Sequence, residues 1–292
     1  MEREVKMVAG EGVVLDADLL FSPTMLAEFG LALLHTPRSL PLRARYHDDP
    51  VLRAAGLTLR SRTEGEEEIA ALKGPGPLRD GVRTRTEWEI PLASAPRVGE
   101  ELPGALREVL ATAGVSLTAW PPVLIETEIL RVHAELALPT GGVAELAVDR
   151  GVVRAAGRSD RVEEIELEEV EECGPALLEA AVGIARKFGL RPSMRSKAAR
   201  GLSLLGALRA PFRPMGGERG AWIEFLVNLE DWRLGGGAVD HEWGEAVRRV
   251  GAIGLERLAA LGSERAEARA RALLDLVAEQ GEPSSVQTGE LG

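Results

Sequence analysis

Five separated segments of this chain keep charged residues two or four positions apart, and so on one side of a period of two, with mostly uncharged residues between them. Successive side chains of a β-strand point to opposite faces, so each segment can present one charged face and one largely apolar face. Glu2, Glu4 and Lys6 share a face. Arg60 and Arg62 share another, with Leu57 and Leu59 behind them. Arg85, Glu87 and Glu89 lie opposite Trp88 and Ile90. Glu145 and Asp149 fall together if their strand extends that far, opposite Leu146 and Val148. Glu164, Glu166 and Glu168 lie opposite Ile165 and Leu167. A solvated sheet face would explain any one of these strands. The set asks for more, because acids and bases are mixed and the intervening helical stretches need an apolar surface to cover. Helices packed on the apolar faces would leave the charged faces to a shared interior. Carboxylates there can hold a hard divalent cation, and arginines and lysines can hold phosphate oxygens.

Strand patterning recurs over residues 2–8, 43–47, 57–63, 69–72, 84–91, 123–137, 144–148 and 165–170. Turn chemistry stands at Gly74-Pro75-Gly76, Pro139-Thr140-Gly141-Gly142 and Asp149-Arg150-Gly151. Helical segments are expected over 22–34, near 50–55, and over 104–112 and 174–188. The strands do not alternate regularly with helices, so the expected fold is α+β: a closed eight-stranded antiparallel β-barrel with covering helices over residues 1–205. A linker rich in proline and glycine over 206–219, a small helical region over 220–280 and a loose tail over 281–292 complete the expected organisation.

The formal charge of −11 argues against holding nucleic acid on a broad basic face, although a basic pocket for a small anion stays compatible with it. Hydrophobic residues at 45% and charged ones at 28% support a packed core. Cys173 is the single cysteine, which excludes an internal disulfide and a zinc site built on several thiolates. His35, His47, His133 and His241 show no ligand spacing. No apolar run approaches membrane-spanning length, and Met1-Glu2-Arg3-Glu4 does not open a signal peptide, so a cytoplasmic protein with no membrane partner is expected.

Glu2-Arg3-Glu4-Val5-Lys6 resembles the Glu-x-Glu-x-Lys signature of CYTH domains, the triphosphate tunnel metalloenzymes. Later segments follow in family order. Tyr46-His47-Asp48-Asp49-Pro50 and Leu59-Arg60-Ser61-Arg62 resemble the Tyr-Asp-Thr-Pro and Leu-Arg-x-Arg pair. Leu72-Lys73-Gly74 is similar to the lysine-bearing strand, and Arg85-Thr86-Glu87-Trp88-Glu89 to the Arg-x-Glu-Trp-Glu segment. Glu145 to Gly151 and Glu164 to Glu168 resemble the late acidic strands, and Ser196-Lys197 the closing element. The resemblance implies a tunnel of eight antiparallel strands that hydrolyses a triphosphate, most often inorganic triphosphate, with Mg²⁺ or Mn²⁺. It further implies that Lys6, Arg60, Arg62, Lys73, Arg85, Arg131 and Lys197 bind phosphates. Glu2, Glu4, Glu166 and Glu168, with Glu145 and Asp149 in support, would hold metal. Glu2, Glu4, Lys6 and Lys197 would be the catalytic set.

Two departures qualify the expectation. Glu128 stands where the family usually has arginine. Facing the lumen it would change the tunnel by two charge units; facing outward it would be harmless. Asp240-His241-Glu242-Trp243 with Arg248 and Arg249 resembles part of a CHAD domain, a helical polyphosphate-associated module, in shortened form. Other readings remain: a non-catalytic module that binds polyphosphate or a nucleotide, or an enzyme acting on thiamine triphosphate or nucleoside triphosphates, cyclase chemistry on ATP included. Aromatic residues make up only 4% of the chain, which favours a bare phosphate chain over a ligand carrying a base.

Overall fold

The computed structural model describes residues 2–205, apart from 10–12, 77, 80, 81, 140 and 194. The expected linker, helical region and tail, with the CHAD-like residues, lie outside the described residues. In chain order the elements are β1 (Glu2–Val8), α1 (Ala17–Leu20), α2 (Pro23–Glu28), β2 (Ala32–Leu33), β3 (Arg38–His47), α3 (Pro50–Ala54), β4 (Thr58–Glu64), β5 (Glu67–Lys73) and β6 (Leu78–Arg79). There follow β7 (Val82–Arg85), β8 (Glu87–Leu92), α4 (Gly104–Thr112), β9 (Val123–Ala137), β10 (Val143–Ala155), β11 (Arg158–Glu171), α5 (Ala176–Phe188), β12 (Arg191–Pro192) and α6 (Lys197–Leu204).

The strands form one antiparallel sheet in the order β6-β7-β1-β11-β10-β9-β3-β4-β5-β8, with β12 also on β1 and β2 on β9. The sheet is curled. The Lys73 ammonium on β5 reaches the Glu2 carboxylate on β1 at 3.1 Å, although these strands lie far apart in the sheet order. The segment expected as one strand over 84–91 is split at Thr86. Its first part, β7, pairs with β1, and its second, β8, pairs with β5.

Where the core sits follows from the alternation. Val5 and Met7 of β1, Leu146 and Val148 of β10, and Ile165 and Leu167 of β11 pack with Leu20, Leu26 and the α5 residues Leu177, Ala181 and Ile184. On another stretch of sheet, Leu59, Ala70 and Leu72 pack with Leu52, Leu106, Leu110 and Trp120, drawn from α3, α4 and the loops beside them. Each fully buried leucine contributes about 1.5–3 kcal/mol of hydrophobic stabilisation. Both clusters use the strand faces opposite the charged residues. A third cluster lies on the charged side: Leu42, Ala44, Tyr46, Ile125, Ile129, Val153 and Val162 meet Ala198 of α6. The approach is close, since a Cβ on Gly201 would lie 2.4 Å from Ile125. Among the described residues no helix is long and apolar enough to cross a membrane.

Local signals explain most boundaries and two corrections. Ser22 caps α2 through the Met25 amide, and Pro23 pre-sets its first turn. The helix expected over 22–34 ends at Glu28, because Gly30 turns the chain at φ +70° and Ala32–Leu33 pairs with β9. Asp149-Arg150-Gly151, expected as a turn, lies inside β10. The hairpin instead reverses at Ala156-Gly157, both at positive φ, the geometry that matches strand twist. Asp149 bonds Arg131 and Lys197 side chains rather than nearby backbone. Gly151 is there for space: a Cβ would stand 2.0 Å from the Glu128 carbonyl oxygen on β9. Gly151→Ala is therefore expected to lower the urea midpoint by an amount equivalent to roughly 1–3 kcal/mol, the scale of an overpacked site. An unchanged midpoint would contradict the close approach of β9 to β10.

Candidate functional site

The concave side of the sheet encloses a cavity of about 460 Å³. Its wall includes Glu2, Glu4 and Lys6 from β1, Arg60 and Arg62 from β4, Lys73 from β5 and Arg85 from β7. Arg131 from β9, Glu145 from β10, Glu166 and Glu168 from β11, and Lys197 at the start of α6 complete the expected residues that line it. Asp149 does not line the wall; it is fully buried behind it. The wall also contains residues given no role from sequence: Tyr46, Glu64, Glu87, Glu89, His133 and Glu169. The signal for Glu87 and Glu89 was already present, since they alternate with Trp88 on the Arg85 face.

Register sorts these charges into rows. On neighbouring strands Lys6 stands opposite Glu166, and Asp149 stands opposite both Glu164 and Arg131. Here opposite charges saturate one another. Arg131 places its guanidinium fork on Asp149, with both bonds at 2.7 Å, and reaches Glu166 at 2.5 Å. The Lys197 ammonium donates to Asp149 at 2.7 Å, Glu164 at 2.5 Å and Glu166 at 3.2 Å. Lys6 adds an ion pair to Glu166 at 2.7 Å. Burial alone would raise Glu166, but Lys197, Lys6 and Arg131 overcome it and hold its pKa well below the usual carboxylate range. Asp149 is lowered in the same way against its own burial, by Lys197 and Arg131. Oxygens of Asp149, Glu164 and Glu166 lie within 4.8 Å of one another, a spacing suited to a metal ion, and Lys197 already bonds all three.

The adjacent row is different. Glu4 stands opposite Glu168, which stands opposite Glu145 on its other side. Like charges opposed across strands repel. Glu4 has Arg85 at 3.1 Å, and Glu145 has His133 at 2.9 Å. Glu168 has no ion pair among the described residues. Burial, then the charges of Glu2, Glu166 and Glu4, pushes its pKa up to about 8, with Lys73 opposing. Glu2 shows the reverse outcome. Burial would raise it, but the Arg85 hydrogen bond and the charges of Lys73 and Arg85 hold it at about 2. A row of carboxylates with one member forced toward its protonated form is an oxygen-rich set able to take a hard divalent cation, whose charge would relieve the repulsion.

Across the cavity, Arg60 is loosely paired, with Glu87 and Glu89 both at 3.8 Å. Arg62 reaches Glu64 at 2.7 Å and Glu89 at 3.3 Å. The Nε atoms of both arginines are buried and form no hydrogen bond within the described protein. Buried guanidinium donors left without an acceptor fit an anionic ligand. Glu128 points away from all this. It is exposed on the outer sheet face, where Arg154 donates to it at 2.6 Å. Its neighbours Thr127 and Ile129 are the inward-facing positions of β9, in phase with Arg131. His47, with no ligand spacing in the sequence, is a buried structural group bonded to the Pro121 carbonyl and Ser61 hydroxyl.

No family model matches the chain, and no curated protein sequence matches it. Solved structures do. HpAC1 from Hippeastrum, named as a candidate adenylyl cyclase and described as having a dominant triphosphatase activity, is 19% identical; the match covers 72% of this chain and 98% of that one, with a TM-score of 0.44. A Vibrio parahaemolyticus protein named as a candidate adenylate cyclase is 15% identical, covering 67% of this chain and 94% of that one, with a TM-score of 0.38. The inorganic triphosphatase NE1496 is 20% identical, covering 59% of this chain and 74% of that one, with a TM-score of 0.22. The structures to which this chain is similar thus include cyclase-like and triphosphatase proteins.

Proposed function

We propose that this chain hydrolyses inorganic triphosphate with a bound divalent metal, Mg²⁺ or Mn²⁺, inside a tunnel. The split strand β7–β8 would join β1 to β5 and close the curled sheet into an eight-stranded barrel. One observation carries the reading: carboxylates and cations from β1, β4, β5, β7, β9, β10, β11 and α6 converge on a single cavity. Phosphoryl transfer needs mainly positioning and charge neutralisation, which such a wall can provide without a protein nucleophile. Glu2, Glu4, Glu145, Glu166 and Glu168 would hold the metal, which when bound supplies Lewis-acid stabilisation of phosphate oxygens and a more acidic water. Arg60 and Arg62 would bind phosphate through donors that lack a protein acceptor. Lys73 on the neighbouring strand β5 and Arg85 on β7 would add charge, together with Lys6, Arg131 and Lys197. Among the described residues Tyr46 is the one Phe, Tyr or Trp on the wall, so a flat apolar seat for a base has little support there.

Purified protein should release phosphate from triphosphate only when Mg²⁺ or Mn²⁺ is added, and faster than from ATP or thiamine triphosphate. Glu4→Gln should reduce kcat by about 100-fold or more, the scale of losing one transition-state contact, with unchanged circular dichroism. Metal-independent turnover, or none at saturating substrate, would refute the proposal.

Glu168 sets a pH dependence of the metal-free fold. Its unfolded-state pKa is the ordinary 4.5, whereas the folded value is about 8. Between these values the folded state holds a proton that the unfolded chain has lost, so its contribution to stability falls as pH rises, levelling above about 8. Urea midpoints should show this decline for wild type and a flatter profile for Glu168→Gln. Added metal should restore wild-type stability chiefly at the alkaline end. Identical profiles for the two proteins would remove Glu168 from the acidic row.

A further inference from the structure

We infer that Asp149 is a positioning residue for Lys197 and Arg131 and not a metal ligand, an inference that rests on the triphosphate reading of the cavity. Both carboxylate oxygens are already engaged. Oδ1 accepts from Arg131 Nε, and Oδ2 accepts from Arg131 Nη2 and Lys197 Nζ, all at 2.7 Å. The side chain is 0% exposed and does not reach the cavity wall, whereas Arg131 and Lys197 do. A metal on Asp149 would have to displace a two-bond guanidinium contact and an ammonium from a site without access to water. Held as it is, Asp149 ties three elements together: β10 carries it, β9 brings Arg131 and α6 brings Lys197. It fixes where Arg131 presents its remaining Nη1 donors and where the Lys197 charge stands, and it fixes the start of α6 against the sheet. Glu168 offers the contrast, lining the wall with no cation bonded to it among the described residues.

The sequence makes this directly observable, because Lys6, Lys73, Lys187 and Lys197 are its only lysines. Nitrogen-15 NMR of the lysine Nζ groups in the metal-free, ligand-free full chain should show a Lys197 ammonium protected from exchange. In Asp149→Asn that signal should broaden or shift while Lys73 stays in place. Manganese affinity, followed by electron paramagnetic resonance, should stay within about threefold of wild type in Asp149→Asn and fall by about tenfold or more in Glu168→Gln. With tripolyphosphate as the probe, Asp149→Asn should raise KM by about tenfold with a smaller change in kcat, as expected when phosphate-binding groups lose their setting. If Asp149→Asn does not fold, Asp149→Asn/Lys197→Met removes the freed ammonium with its partner and takes the same manganese and KM measurements. An unchanged Lys197 signal, or manganese affinity lost in Asp149→Asn as fully as in Glu168→Gln, overturns the inference. Failure of wild type to bind or cleave tripolyphosphate would sink the triphosphate reading instead, and the lysine spectra would still decide what Asp149 holds.

Discussion

Inside this sheet an acid that leaves water needs a cation or must keep its proton, and a buried cation needs an acceptor. Desolvating such groups is expensive, and the mutual attraction of a pair offsets it only when geometry is good and remaining hydrogen bonds are met. The fold meets that condition by register. Because Asp149 stands opposite Arg131 and Lys6 opposite Glu166, pairing is built into the strand ladder rather than left to flexible side chains. Where register places Glu4 and Glu145 on either side of Glu168, no cation meets it among the described residues, and burial with the charges of Glu2, Glu166 and Glu4 makes it a carboxyl group that keeps its proton to unusually high pH.

Such an interior contributes little net stability, so the hydrophobic driving force has to come from elsewhere. It comes from the opposite side of the same strands. The clusters beneath α5 and beneath α3 and α4 place apolar residues between sheet and helices, which inverts the usual small barrel with a greasy centre. The apolar patch on the charged side, where α6 seats against Ile125 and Ile129, confines the polar volume to part of the concavity. Site and core are therefore two faces of one alternation, and a register slip of one residue would exchange them.

Much of this was legible from residue order, because a period of two is unambiguous wherever both faces are chemically distinct. β1 and β9 begin and end where the pattern placed them, and the charged faces of β1, β4, β10 and β11 turn toward one cavity. Legibility failed where the deciding partner lies far away in sequence. Asp149-Arg150-Gly151 carries turn chemistry, yet its aspartate is committed to Arg131 and Lys197, and its glycine to the backbone of β9. Glu128 could be assigned a side only once the phase of β9 was fixed by Arg131. Glu64 and His133 share their faces with Arg62 and Arg131, so the same period of two carries them to the cavity, whereas Tyr46 took its place only once β3 was seen to lie between β9 and β4.

The scarcity of lysine has a practical side. Lys187 sits on the outside of α5 beside Glu28, half exposed, while Lys6, Lys73 and Lys197 keep less than a fifth of their side-chain surface open. Amine-directed chemistry on the folded domain therefore meets one ready primary amine on a side chain, and a tether, dye or affinity support attached there leaves the cavity-lining ammonium groups untouched.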